Sequence, residues 1–170
     1  MSRSLQDALS GISGILVTPF DAEDRIAPAR LRPILDRALA AGLHVPVANG
    51  NTGEFYALTV DEAEAMAAEV VAMVAGRAPV LAGVGRSVGD ACRLARAAAR
   101  AGAAGLMVHQ PPDPFAAPRG VVDYVRRVAE AGDGLPVMLY LRNDAIGTGA
   151  IADLCAVPGV IGVKWRRPIR

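Results

Sequence analysis

The chain has 170 residues, of which 52% are hydrophobic, 21% charged and only 4% aromatic. Lys+Arg 18 against Asp+Glu 17 leaves a formal net charge of +1, which removes the electrostatic footprint of a nucleic-acid or anionic-membrane binder. No run of about eighteen uncharged apolar residues is available to span a membrane, and Met1 to Gly11 alternates polar and apolar residues without a signal-like apolar core. Cys92 and Cys155 lie outside any CxxC pattern and cannot make a zinc site by themselves. The expectation is a reduced, cytoplasmic, globular protein with one domain. In chain order, Ile15 to Val17 reads as a first strand ending at Thr18-Pro19. A helix follows with Pro28 in its first turn, running through Leu31, Ile34, Leu35, Ala38 and Leu39 to a stop at Gly42.

Val45 to Ala48 is a second strand. Thr59 caps the next helix, with Glu62 three positions on completing a capping box, and Ala63, Met66, Val70 and Met73 repeat on one face. Pro79 to Ala82 is a third strand, and Ser87 with Asp90 opens a helix to about Ala101. Ala104 to Val108 is a fourth strand, followed by a helix over Val121 to Ala131 and a Gly132-Asp133-Gly134 turn. Pro136 to Tyr140 is a fifth strand, Ala150 to Ala156 a short helix, and Val160 to Val163 a sixth strand. The strands recur about every thirty residues, the period of a βα unit. They are uninterrupted apolar runs, so the sheet should be parallel and covered by helices.

An open doubly wound sheet and a (β/α)8 barrel share this signature. The glycine-rich turn of a dinucleotide fold is missing after the first strand, where Thr18-Pro19-Phe20 stands. Gly83-Val84-Gly85 is only a short glycine pair. Reactive side chains instead gather at strand ends (Thr18, Asn51-Thr52, His109, Tyr140 and Lys164), as in a barrel whose chemistry sits at the carboxyl ends of its strands. An α/β fold of the TIM (β/α)8 type is therefore favoured. Composition singles out one of these residues. Of the 18 basic residues, 17 are Arg and one is Lys164, kept inside the apolar run Val160-Ile161-Gly162-Val163-Lys164-Trp165. Arg replaces a surface ammonium at little cost, but it cannot replace a nucleophilic amine, because guanidinium stays protonated.

Four segments carry a family resemblance in order: Gly14-Ile15-Leu16-Val17-Thr18-Pro19-Phe20, Gly50-Asn51-Thr52-Gly53-Glu54, Leu135-Pro136-Val137-Met138-Leu139-Tyr140 and Val160-Ile161-Gly162-Val163-Lys164. With them the chain resembles the dihydrodipicolinate synthase and N-acetylneuraminate lyase family of Schiff-base lyases. The resemblance implies that Lys164 forms an imine with the keto carbon of pyruvate or a related 2-oxo acid. It implies that Tyr140 transfers protons to and from the substrate, and that Gly50, Asn51, Thr52 and Gly53 hold the carboxylate. It also implies a homo-oligomer with a small-molecule 2-oxo acid as partner and no cofactor, the imine doing the electron-sink work of a metal. Attack requires the neutral amine, which desolvation at a buried strand end would favour.

Departures from the pattern are informative. His109-Gln110-Pro111-Pro112 stands where dihydrodipicolinate synthase has paired tyrosines, and Ala145 stands where the synthase has an arginine. Asn51 replaces a usual second threonine. The GxTGEF pattern resembles that of 5-dehydro-4-deoxyglucarate dehydratases, so a sugar-acid dehydratase or aldolase is expected. Arg142 either binds a carboxylate from a new place or is an exposed loop arginine. His109 is either an acid or base at its strand end or a hydrogen-bonded loop histidine, and His44 is expected to be structural. A complete barrel typically takes about 250 residues. The expectation is an incomplete barrel of about six of the eight βα units, with residues 1–10 a lead-in, 11–165 the barrel domain and 166–170 a basic tail. The alternative reading is a non-catalytic fragment that associates through open sheet edges.

Overall fold

The structure is a computed structural model that describes residues 4–113 and 116–165; the basic tail expected at 166–170 lies outside the described residues. Six parallel strands form one sheet in the order β1 to β6, each paired with its neighbours in sequence. The elements are α1 Leu5–Leu9, β1 Ser13–Ile15, α2 Arg32–Ala40, β2 Val45–Ala48, α3 Val60–Val74, β3 Leu81–Val84, α4 Val88–Ala101, β4 Gly105–His109, α5 Pro118–Ala131, β5 Val137–Leu141, α6 Gly147–Cys155 and β6 Val160–Trp165. This is the α/β, (β/α)8-type architecture expected, with six of its βα strands in sequential order.

The helix starts follow from local chemistry. Thr59 Oγ1 accepts from the Glu62 N–H at 3.2 Å while the Glu62 carboxylate accepts from the Thr59 N–H at 2.8 Å, the reciprocal capping box. Ser87 Oγ accepts from the Asp90 N–H at 3.1 Å. Pro28 opens a 3-10 turn, Pro28–Leu31, that leads into α2, and Gly42 reverses the chain behind it with φ 93°. Met1 to Ser10, read as a lead-in, contains α1, capped by Ser4.

The strand pleat sorts side chains into two cores. Outward residues such as Ala48, Ala82, Leu106, Val108, Leu139 and Leu141 pack with Leu35, Met66, Val70, Leu94 and Val128 of the helix layer. Inward residues Val45, Val47, Leu81, Met107 and Tyr140 pack with Leu5 and Ala8, so α1 plugs the concave side. Strand positions differ slightly from those expected. β1 closes at Ile15 because the following segment leaves the ladder, with Val17 exposed and the Thr18 hydroxyl drawn to the Gly53 carbonyl. β3 and β5 begin past Pro79 and Pro136, which lack the N–H that a ladder needs.

Of the apolar residues expected along this first long helix, Leu31 in the 3-10 turn and Leu35 in α2 are buried, whereas Ile34 is 49% exposed. The other exposed large hydrophobics, Ile12 and Val17 beside β1 and Trp165 at the end of β6, sit at the two edge strands. Unpaired edges flanked by apolar side chains favour association. The 170-residue chain is therefore expected to self-associate with rising concentration. Analytical ultracentrifugation that found a compact monomer across the accessible concentrations would contradict this.

Candidate active site

One cross-strand row organises the carboxyl end of the sheet. His109 of β4 lies in register with Tyr140 of β5, and Tyr140 with Lys164 of β6. The His109 and Tyr140 ring centroids are 5.4 Å apart, nearly edge to face, and Lys164 Nζ lies 4.7 Å from the Tyr140 centroid. Lys164 reaches this row through an irregularity in pairing. Val137 is opposite Val160, but Met138 is opposite Gly162, so β6 spends one extra residue there. A one-residue slip exchanges the two faces of a strand. In regular pairing Lys164 would stand beside Leu141, whose side chain points into the helix layer. Gly162 suits the bulge, because a β-carbon there would press on the Met138 methyl at 3.0 Å.

Tyr140 is buried, whereas Lys164 is exposed on an edge strand bonded only to β5. The burial expected for the amine is thus not found in this chain. A different group is buried beside it. His109 is fully buried and its Nε2 lies 3.1 Å from the Asn49 carbonyl oxygen. A carbonyl only accepts, so Nε2 carries the proton, and the buried Nδ1 has no partner among the described residues. The imidazole stacks on Phe55 at 4.8 Å, and Gly85 leaves room for the pair, since a β-carbon there would meet both. Burial, chiefly, pulls its pKa from 6.5 to about 4, against the Asn49 hydrogen bond and helped by the charges of Arg142 and Lys164. His109 is therefore a neutral core residue at the end of β4, not a loop histidine, and it is not poised as an acid or base near neutral pH.

The segment after β2 forms a 3-10 turn, Asn51–Gly53. Gly50 and Gly53 are buried, and β-carbons there would collide with the Ile15 side chain and the Leu16 carbonyl. The Gly53 and Glu54 N–H groups bond within the turn, while those of Asn51 and Thr52 make no backbone hydrogen bond among the described residues. Both residues are exposed. Thr18 does not present its hydroxyl to this opening; Oγ1 donates to the Gly53 carbonyl at 2.7 Å and fixes the turn from beneath.

Arg142 is half-buried rather than an exposed loop arginine. Its N–H and that of Asn143 both donate to Gln110 Oε1, at 2.8 and 3.0 Å. Its Nη2 donates to the Tyr56 hydroxyl at 3.0 Å and its Nη1 to Asn51 Oδ1 at 3.4 Å. The guanidinium carbon lies 5.2 Å from the Tyr56 ring centroid and 5.7 Å from that of Tyr140. Burial raises the Tyr56 phenol pKa, an effect opposed by Arg142. Sequence reading missed Tyr56, Phe55 and Gln110. A tyrosine beside Phe55 at the mouth of the β2 turn was the available signal for the first. A groove of about 670 Å³ lined by Cys92, Arg96, Arg127 and Asp133 lies between α4 and α5, away from the row. Among the described residues no group of three His, Cys, Asp or Glu is placed to hold a metal ion, and no helix is long and apolar enough to cross a membrane.

Sequential parallel strands with reactive side chains at their carboxyl ends define a (β/α)8-type barrel scaffold of the enzyme kind. The sequence model of the Dihydrodipicolinate synthetase family matches residues 8–166, and the chain belongs to that family. It is 41% identical over 129 residues to the probable 5-dehydro-4-deoxyglucarate dehydratase 1 of Streptomyces coelicolor, covering 75% of this chain and 40% of that protein. Dihydrodipicolinate synthase from Bacillus clausii superposes with a TM-score of 0.88 at 38% identity, over 94% of this chain and 54% of that one. YagE, a prophage protein from Escherichia coli K12 of the same family solved in complex with pyruvate, superposes with a TM-score of 0.83 at 27% identity, over 91% and 53%. The chain spans about half the length of the curated relatives that it matches over most of its own length.

The depressed His109 pKa has a measurable consequence. The folded state resists protonating a ring that the unfolded chain protonates below about pH 6.5. The stability that depends on a neutral His109 is complete above that pH and is lost as pH falls toward about 4, on the order of 3 kcal/mol in total. Urea unfolding at about pH 7 and about pH 4.5 should show a smaller acid loss in His109→Phe, which keeps the stack on Phe55. Equal losses in the two proteins would show that His109 is not the titrating group.

Proposed function

We propose that this chain carries the imine-forming site of a lyase that acts on pyruvate or a 2-oxo sugar acid. The observation that carries the reading is the placement of Lys164 Nζ over the Tyr140 ring in one inward row. The neutral amine of Lys164 adds to the keto carbon, and the resulting carbinolamine loses its hydroxyl as water to leave a protonated imine. The Tyr140 phenol is the group beside it that moves the proton onto that hydroxyl and later takes one from the neighbouring carbon. The enamine so formed expels a hydroxyl one carbon further on, which is dehydration; for cleavage the phenolate takes the proton of that hydroxyl instead, a new carbonyl forms there, and the pair of the breaking carbon–carbon bond enters the imine. The N–H groups of Asn51 and Thr52, which make no backbone hydrogen bond among the described residues, hold the substrate carboxylate together with the Thr52 hydroxyl. Gly50 and Gly53 allow that turn to sit against β1, and Thr18 braces it.

Dehydratase or aldolase chemistry suits the site better than the synthase reaction, because His109 and Gln110 stand where the synthase resemblance calls for tyrosines. We place the protein in a reducing compartment such as the cytoplasm, where its two cysteines stay free, and expect it to work as a homo-oligomer. A second reading rests on the exposure of Lys164 at an unpaired edge: the chain holds the reactive groups but turns over only when that edge is covered.

Borohydride reduction with pyruvate present, read by intact mass and peptide mapping, tests the reading. We expect a reduced pyruvyl adduct on Lys164, none in Lys164→Arg, and trapping slowed on the order of a hundredfold in Tyr140→Phe. An adduct persisting in Lys164→Arg would refute the lysine assignment. Folded protein that gives no adduct would favour the second reading.

A further inference from the structure

We infer that Arg86 is a positioning residue: it clamps the connection after β2 in the strained shape that presents the Asn51 and Thr52 N–H groups to a carboxylate, and this rests on the imine reading above. Three residues other than glycine carry a left-handed φ in adjoining connections. They are Asn49 at 55° and Glu54 at 64° after β2, and Arg86 at 78° after β3. Such conformations cost free energy and persist only where surrounding contacts over-determine them. Asn49 is held by its own side chain, which donates to the Ala63 carbonyl at 2.7 Å, and by His109 on its carbonyl. Glu54 is held less well. Its N–H reaches the Asn51 carbonyl at 3.2 Å, and the N–H of the next residue, Phe55, reaches that of Gly50 at 3.4 Å.

Arg86 supplies the further restraint. It is half-buried, its Nη2 donates to the Phe55 and Leu58 carbonyls, and its guanidinium carbon lies 5.0 Å from the Phe55 ring centroid. Phe55 and Leu58 are buried, and no backbone N–H donates to either carbonyl among the described residues. Removing Arg86 orphans both carbonyls, and the connection must then turn them toward water. Glu54 is thereby freed to leave its left-handed φ, and the Asn51 and Thr52 N–H groups lose their fixed direction. The guanidinium has no competing role. Among the described residues it makes no ion pair, and its buried Nε has no partner. From the β1 side the Thr18 hydroxyl holds the Gly53 carbonyl at 2.7 Å. The turn is thus gripped from both flanking strands, by a neutral bond on one side and by charge-assisted bonds on the other.

The test combines borohydride trapping of pyruvate with backbone hydrogen exchange read on peptides, both on the 170-residue chain. Arg86→Asn tolerates a left-handed φ but is too short to reach the carbonyls. It should raise the pyruvate concentration for half-maximal trapping about tenfold, the worth of one charge-assisted contact, and change the rate at saturation less than about twofold. Arg86→Lys keeps the charge and a reaching donor, and should recover part of the loss. Exchange over residues 49–58 should quicken in Arg86→Asn while that of β2 to β5 stays as in the wild type. An unchanged half-saturation, or a loss confined to the saturated rate, would overturn the inference. So would exchange that quickens across all the strands, which marks a general structural role. A tenfold loss that vanishes in about 1 M salt would overturn it too, because charge at a distance would then be the cause. If the wild-type chain gives no adduct on Lys164, the imine reading fails and exchange decides alone. Faster exchange at 49–58 in Arg86→Asn then sustains the clamp, and equal exchange overturns it.

Discussion

The site depends on one extra residue in β6. Between Val160 and Gly162 the strand advances two residues while β5 advances one, and every side chain beyond that point changes face. Lys164 is thereby turned from the helix layer toward the inward row that holds Tyr140 and His109. Gly162 eases the irregularity, since a β-carbon there would sit 3.0 Å from the Met138 methyl. The cost of a bulge is a ladder hydrogen bond at most, about 1 kcal/mol. The benefit is that an ammonium on an otherwise apolar strand avoids the buried helix interface, where an unpaired charge would cost several times as much. Packing and the placement of the Lys164 amine beside Tyr140 are thus served by the same irregularity.

Within that row His109 is kept uncharged. His109 sits where two cations lie above it and an aromatic ring lies alongside, and burial keeps it neutral. A protonated imidazole there would bring a third positive charge into contact with the same ring system. The stack on Phe55 requires Gly85, and Phe55 is held in turn by Arg86, which donates to the Phe55 and Leu58 carbonyls and lies over the Phe55 ring. The β2 turn, the end of β3 and the end of β4 are therefore locked by the His109–Phe55 stack and by Arg86 on backbone acceptors.

What could be read from sequence follows the range of the interactions. The Thr59–Glu62 box, the Ser87 cap and β2 at Val45–Ala48 coincide with expectation because each is decided within a few residues. Strand limits drifted by one or two residues wherever a proline or a distant partner set the end of the ladder. α1 escaped notice because five residues carry too little periodicity, although Ser4 followed by Asp7 was a usable cap signal. The pattern of strands placed Tyr140 and Lys164 at strand ends, yet which face Lys164 takes depends on the β6 bulge, for which Gly162 was only a hint. The contacts of Arg142 could not be read at all. Its partners lie 86 and 91 positions away, and only the closing of the sheet brings them together.

That difference in range divides the site by function. Lys164 and Tyr140 are carried on strands whose register is fixed by a ladder of backbone hydrogen bonds, so their spacing survives changes in the loops. Arg142 lies just beyond β5 and is positioned by side chains from two other connections, Gln110 after β4 and Asn51 with Tyr56 after β2. Gln110 accepts two backbone N–H groups, worth about 1 kcal/mol each, while Tyr56 and Asn51 each accept one bond from the guanidinium, worth about 1.5–3 kcal/mol. Substitutions in these connections can therefore move or release the guanidinium without disturbing the amine–phenol pair. The strand ladder thus fixes the Lys164–Tyr140 pair, while the position of Arg142 is set by the loops.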